Sequence, residues 1–401
     1  MNIGMILDNE FSGDLRVENE IIALTNAGFN VFVLCLNYRN KPTEEIFHGA
    51  KIIRITIAKS IVKKLRALTN TLFDFYTSFW ADKINTFVKE YKIDVLHVHD
   101  LYMFGSVFKY KDARNQSIKI IGDLHENYVE GLKHYKFSTT FPGNLLISIK
   151  KWERTEVKWV NKLDAAITVI DEAVERYASI GIERNKFTVV PNYVNQSEFL
   201  DTEVDKNIIK RFQDFKTAIY IGAFDIHRGL ESLVKSIPDI IKQINNFKLI
   251  LVGHGKNYNS LNELVEKLNI QKYISFEGWQ PVSKFSSYIA ASNICVIPHL
   301  KTVHTDNTIP HKLFHYMIMK KPIIASNCNP IVRIITEENC GLIYESGNSK
   351  DFAEKFISLI NNFPLMNGMG QRGSLAVEKK YNWNKAAENL INLYKDFGNN
   401  G

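Results

Sequence analysis

Ile3–Leu36, IGMILDNEFSGDLRVENEIIALTNAGFNVFVLCL, decides how the rest of the chain is read. Its ends are short apolar runs of strand length, Ile3–Leu7 and Asn30–Leu36. Between them lies a helical stretch, about Leu15 to Ala27, that Gly28 stops. Strand, helix and strand in this order make a parallel β-α-β unit, the start of a nucleotide-binding type of layer. Gly13 is the only glycine in the first turn. That falls short of the GxGxxG fingerprint and argues against a nicotinamide-dependent enzyme. Arg16 lies in the first helical turn, at the strand edge where α/β proteins place ligands.

The same alternation continues along a chain of 401 residues, too long for one ordinary core, so two domains are expected. A hydrophobic fraction of 45% with 23% charged residues is globular and argues against disorder. No apolar run approaches the roughly 20 residues that span a bilayer, and the start lacks the marks of a signal peptide, so a cytosolic location is expected. Cys35, Cys295, Cys328 and Cys340 show no CxxC spacing and read as small core residues of a reducing compartment. A net charge of +7 favours an anionic partner without choosing between nucleotide, membrane surface and nucleic acid. Nucleic acid is not expected, because the basic residues are dispersed.

In the first half, Ser60–Tyr91 reads as a long helical region, basic at Lys59, Lys63, Lys64 and Arg66 and rich in Phe and Trp. Such a stretch can lie on an anionic membrane or be a core helix with a solvated end. Strand Val95–Val98 leads into His99 and Asp100, and strand Ile118–Asp123 into His125 and Glu126. Two strands that end in His and carboxylate bring those groups together over the edge of a parallel sheet. HxHD spacing turns His97 and His99 to one face, but no further ligand cluster follows, so no metal is expected. A helix is expected over about Asn144–Val160, and Pro191–Val194 reads as an interdomain connection.

The second half restarts with strand Ala218–Ile221 and the turn Gly222–Gly229, where Arg228 at a helix start can reach a phosphate. Strand Lys248–Val252 ends in Gly253-His254-Gly255, and strand Ile274–Phe276 in Gly278-Trp279. Residues Asp306–Ala325, DNTIPHKLFHYMIMKKPIIA, then read as loop, helix and strand, with Thr308 capping a helix from about Pro310 to Lys320. Its N-terminus, with His311 and Lys312, is suitable chemistry for a diphosphate. An ordinary β-α-β crossover is the plainer reading of that stretch.

Taken together, these loops resemble the family 4 retaining glycosyltransferases of GT-B fold. DLRVENEIIALTNAGFNVFVL, DVLHVHD, GDLHE, VVPNYVNQSEF, YIGAFDIHRGLESLV, LILVGHGK, ISFEGW and ICVIPHL follow in that family's order over nearly the whole chain. The resemblance implies an α/β chain of two Rossmann-like domains with parallel sheets facing a central cleft. An acceptor domain would span residues 1–194 and a donor domain 195–380, with 381–401 packing back on the first. It implies transfer of a sugar from a nucleoside-diphosphate sugar, with retention, to a glycan or lipid-linked acceptor in surface polysaccharide or glycoconjugate synthesis. The protein would work in the cytosol or at the inner face of the membrane, without a metal or other cofactor.

By the same resemblance, Arg228 would meet the donor diphosphate and His125 the transferred sugar. Gly13, His311 and Lys312 would approach the phosphates, and Gly253, Gly255, Gly278 and Trp279 the nucleobase. Arg16, His99, Asp100 and Glu126 would lie on the acceptor side. The family's paired glutamates, separated by seven residues, fall at Asn307 and His315, and its frequent arginine after Gly222 is Ala223. Those departures motivate two other readings: a non-catalytic nucleotide- or partner-binding protein, and a nucleotide-sugar epimerase.

Overall fold

Two sheets organise the chain, one in each of two units, Met1–Asn192 with Ala386–Gly401 and Tyr193–Lys385. The computed structural model describes residues 1–114, 117–125, 127–134, 136–141, 143–194 and 196–399. The division between the units falls within the Pro191–Val194 run. Tyr381 still belongs to the second unit, where its hydroxyl donates to Glu338 at 2.9 Å.

The first sheet contains β1 (Asn2–Ile6), β2 (Asn30–Asn37), β3 (Glu44–Phe47), β4 (Ala50–Thr56), β5 (Val95–His99), β6 (Lys119–Leu124), β7 (Ala165–Thr168) and β8 (Phe187–Val189). Their spatial order is β3-β4-β2-β1-β5-β6-β7-β8, parallel throughout except for the β3–β4 pair. Strands β1, β2 and β5 are near-continuous apolar runs because helices cover both faces of a parallel sheet. The short antiparallel edge strand β3 is not evident in the sequence. Its residues, EEIF, carry glutamates that keep an open edge soluble.

The second sheet contains β9 (Lys216–Ile221), β10 (Phe247–Val252), β11 (Ile274–Gly278), β12 (Ile294–Ile297), β13 (Ile323–Ser326) and β14 (Gly341–Tyr344), all parallel in the order β11-β10-β9-β12-β13-β14. Each sheet is wound outward from its first strand and then resumes on that strand's other side. The direction reverses between β1 and β5 in one sheet and between β9 and β12 in the other. The crevice outside the carboxyl ends at such a reversal is where open α/β sheets bind ligands.

Three helices differ from expectation. Ser60–Tyr91 is two helices, Lys59–Ala67 and Phe75–Tyr91. Asn70 takes a left-handed φ of 62°, and its amide donates to Asp74, whose carboxylate also caps the second helix through the Thr77 amide at 2.9 Å. Asn144–Val160 is likewise divided, into Gly143–Leu146 and Ile149–Lys162, with Ser148 capping the second. The helix expected from Pro310 is shorter, Lys312–Ile318. Thr308 does not cap it, because its hydroxyl donates to the His304 carbonyl. The amides of Leu313 and Phe314 are engaged by the carbonyls of Pro310 and His311.

Candidate active site

At the reversal of the first sheet, alternation along β5 puts His97 and His99 on one face, with rings stacked 4.5 Å apart. The neighbouring strand β6 sets Asp123 beside them, and the helix Leu15–Asn26 contributes Arg16 and Glu20. Arg16 forks onto Asp123, Nη2 donating to both carboxylate oxygens at 3.0 and 2.9 Å. Its Nε lies 2.9 Å from Glu20, and Nη1 donates to the Val190 carbonyl at 2.9 Å and to Asn192. Arg16 is thus not presented as an acceptor-side contact: it is buried, with its guanidinium held by the protein's own acceptors.

Asp123 is fully buried. Burial works against its charge, but Arg16 and then His125 outweigh that and hold it well below the usual carboxylate range. His125 Nε2 lies 2.9 Å from Asp123 Oδ2 and 3.1 Å from His99 Nδ1. Burial opposes an imidazolium there as well, yet Asp123 pushes His125 up to about 9, so it is charged at neutral pH. His99, fully buried with cationic neighbours, is held well below its ordinary value and stays neutral. The ring of His97 is fixed from its other side by the Tyr394 hydroxyl, 2.7 Å from Nδ1. Burial raises Glu20 to about 7.

Glu20, His97, His99 and Asp123 place ligand-type atoms within 4.8 Å of one another, a donor set that could hold a metal. Here the Arg16 guanidinium already supplies the positive charge to both carboxylates.

Three adjoining cavities of about 320, 340 and 330 Å³ open beside this cluster, each lined by Arg66 and Tyr102. His125 and Asp100 line the first two, and Asp8, at the end of β1, lines the second. Burial raises Asp8 to about 6 although Arg66 Nε is 2.6 Å away. Arg66 also lies over the Tyr102 ring, 5.0 Å from its centroid.

The reversal in the second sheet has the opposite charge balance. Arg228 Nη1 lies 3.0 Å from His299 Nε2. Because arginine can only donate, His299 accepts through Nε2 and is neutral. Burial, then Lys312 and Arg228, hold it well below its ordinary value. Lys312 lies over the Tyr220 ring with Nζ 4.0 Å from the centroid. A Cβ at Gly222, whose φ is 143°, would stand 2.6 Å from that ammonium, so Lys312 lies against the backbone just past β9. Burial and the nearby Arg228 pull Lys312 well below the usual lysine range. Among the described residues neither Arg228 nor Lys312 has a carboxylate at ion-pair distance, and Arg228 Nε is buried without a hydrogen-bond partner.

The other anticipated residues are placed as follows. The Gly13 amide donates to Glu18 at 2.8 Å. Gly253 has φ 138°, and a Cβ there would meet the Gly222 carbonyl oxygen at 2.0 Å, so close packing of two loops already requires a glycine. Gly255 packs in the same way against the Phe224 backbone. Gly278 has φ 65°, and Trp279 beside it is 75% exposed. Asn307 ends a short turn, its side-chain amide donating to the Val303 carbonyl at 2.7 Å. His311 is exposed. His315 packs against Phe199 and Phe285, and burial, followed by His311 and Lys312, lowers it to about 4. Glu126 lies outside the described residues.

Asp123, Glu20, Asp8, His299 and Tyr394 are absent from the site inferred from sequence. Asp123 carried a signal, standing two residues before His125, and so did His299, two residues past a strand. Tyr394 carried none.

Residues 16–198 match the family model described as Glycosyltransferase Family 4, and residues 201–376 the one described as Glycosyl transferases group 1. An uncharacterized glycosyltransferase of Methanocaldococcus jannaschii is 23% identical over 95% of this chain and 93% of its own length. Sucrose-phosphate synthase of Thermosynechococcus elongatus superposes with a TM-score of 0.76 at 17% identity, over 100% of both chains. HepE of Anabaena, solved in complex with UDP, gives 0.71 at 12% identity, over 98% of this chain and 99% of that one. The fold is that of the GT-B glycosyltransferases. The chain belongs to glycosyltransferase family 4.

Proposed function

We propose that the protein transfers a sugar from a nucleoside-diphosphate sugar to a glycan or lipid-linked acceptor, with retention of configuration and without a metal ion. The observation that carries this reading is the pairing of the basic side chains Arg228 and Lys312 at the β9/β12 reversal, where among the described residues neither has a carboxylate at ion-pair distance. Two neighbouring cations held partly out of water are suited to a ligand with two negative charges, and a diphosphate provides them. As the bond from the anomeric carbon to the diphosphate oxygen breaks, the same pair offsets the charge that develops on the leaving group. The acceptor oxygen bonds to that carbon from the same face, and its proton passes to the leaving phosphate. His125, kept charged by Asp123, cannot take up that proton, and it serves to position a sugar hydroxyl by donating to it.

We place the protein in the cytosol, at the inner face of the membrane. Its four cysteines are free and buried, which suits a reducing compartment. No helix among the described residues is long and apolar enough to cross a membrane.

A thermal-shift panel of UDP, GDP, ADP and their sugars tests the reading, because a ligand that binds only the folded state raises its stability. Arg228→Ala should weaken nucleoside-diphosphate binding by about tenfold or more and leave nucleoside binding unchanged. Equal loss of both would remove Arg228 from the diphosphate site. A second reading, nucleotide binding without turnover, is favoured by the absence of carboxylates at Asn307 and His315. A nucleotide shift without transfer to any acceptor, and without hydrolysis of the donor, would establish it.

A further inference from the structure

We propose that the acceptor is an amphiphile, a sugar carried on a lipid phosphate, lying along the three cavities of the first unit with its phosphate at Lys63. This rests on the glycosyltransferase reading only in calling the ligand an acceptor. The cavities share Arg66 and Tyr102 and change character from one end to the other. One end is polar and lined by Asp8, Asp100, His99 and His125, side chains that bond to sugar hydroxyls. The other is apolar, lined by Ala67, Leu132, Ile147 and Trp152. Lys63 lines both the polar cavity and the apolar one, so a cation stands at the junction.

Charge at that junction is available to a ligand. The carboxylates nearby are engaged within the protein: Asp8 by Arg66, Asp14 by the Val17 amide and Asp100 by the Tyr102 hydroxyl. Lys63 has no carboxylate at ion-pair distance among the described residues, and Lys59 meets only the ring of Tyr38. The surface around the apolar end is also unusual for a protein bathed only in water. Leu72 is 96% exposed and Phe73 55%, in a loop that Asn70 ties to the helix Ile149–Lys162 through Thr155 and Lys151. Phe141 and Leu145, just before that helix, are 78% and 76% exposed. Apolar tips on the segments that follow Thr69 and precede Ile147, both of which line the apolar cavity with Lys63, fit the face of an anionic bilayer, where a lipid-borne acceptor would be met.

Binding of dodecyl phosphate, methyl phosphate and the uncharged dodecyl maltoside to the full chain, below micellar concentrations, tests this directly. Dodecyl phosphate should bind tighter than either of the others by about tenfold or more. Lys63→Glu, on an exposed position, should weaken both phosphates. Gly131 lines the apolar cavity and has open space where a Cβ would stand, so Gly131→Leu should weaken dodecyl phosphate and leave methyl phosphate unchanged. Equal affinity for dodecyl and methyl phosphate overturns the lipid assignment, and insensitivity to Lys63→Glu overturns the phosphate position. UDP binding, measured on the same preparations, is expected to be unaffected by either variant. If UDP binds and dodecyl phosphate does not, the glycosyltransferase reading survives and this inference does not.

Discussion

The two sheet reversals are built alike and charged differently. Between β1 and β5 every buried cation meets an acid: Arg16 and His125 converge on Asp123, and Glu20 stands on the other side of Arg16. Between β9 and β12, among the described residues, Arg228 and Lys312 meet a neutral His299, an aromatic ring and glycine backbone and no carboxylate at ion-pair distance. A balanced cluster satisfies itself and serves as architecture. An unbalanced one keeps charge to offer, which on the proposed reading a diphosphate would meet, while the balanced one holds His125 in place.

The comparison breaks most visibly at Asp123. Asp123→Asn leaves Arg16 buried beside a neutral amide and should cost about 3–5 kcal/mol of unfolding free energy, read by chemical denaturation. A loss below about 1 kcal/mol would mean that the cluster is not load-sharing in this way.

The histidines sharpen the contrast through opposite pH limbs. His125, at about 9 in the folded chain and near 6.5 unfolded, contributes stability that is complete below about pH 6.5 and lost as pH rises through 9. His315, at about 4 when folded, contributes stability that is complete above about pH 6.5 and lost as pH falls toward 4. His125→Gln should therefore flatten the alkaline limb of urea stability and His315→Gln the acid limb, by a few kcal/mol at most. Asp8, raised by burial and shifted by neither histidine, acts alike in parent and variant and cancels in the difference, whereas Glu20, raised by burial to about 7, is held down in part by His125 and moves further up in His125→Gln.

Lys312→Met is expected to leave stability unchanged or raised, because a buried repulsion with Arg228 is relieved, while UDP affinity falls about tenfold. Destabilisation with unchanged UDP binding would make Lys312 architectural. The smallest effect is expected at Trp279, where exposure keeps the cost of Trp279→Ala under about 0.5 kcal/mol. If Trp279 carries the nucleobase, uridine and UDP affinities fall together in a titration. A change confined to UDP would move it to the phosphates.

Much of the fold was legible because parallel strands buried on both faces leave unbroken apolar runs, and Ile3–Leu36 alone displays the unit that both sheets repeat. Exposed elements were not, since β3 and β14 are only partly buried and lack that signature, whereas the equally short β12 and β13 are buried throughout. The break at Asn70–Asp74 was hidden by the hydrophobic stripe that runs across it. In the site, residues at strand ends could be read from position. What could not be read was pairing: that Arg16 turns inward to Asp123, or that Lys312 lies against Gly222, depends on packing between segments far apart in sequence. Gly253 shows the converse error, because a glycine that suggests a ligand also answers to a neighbouring loop.

The hydrogen bond between His97 and Tyr394 joins residues 297 apart in the chain. Protein synthesis is vectorial, so the strands of the first sheet leave the ribosome while the group that completes their buried histidine is still unmade. The first unit must wait, with that imidazole open, through the whole translation of the second. Its closing step therefore waits for the synthesis of the segment that carries Tyr394, and a chain stalled after Lys385 would hold every residue of the second unit and an unfinished first.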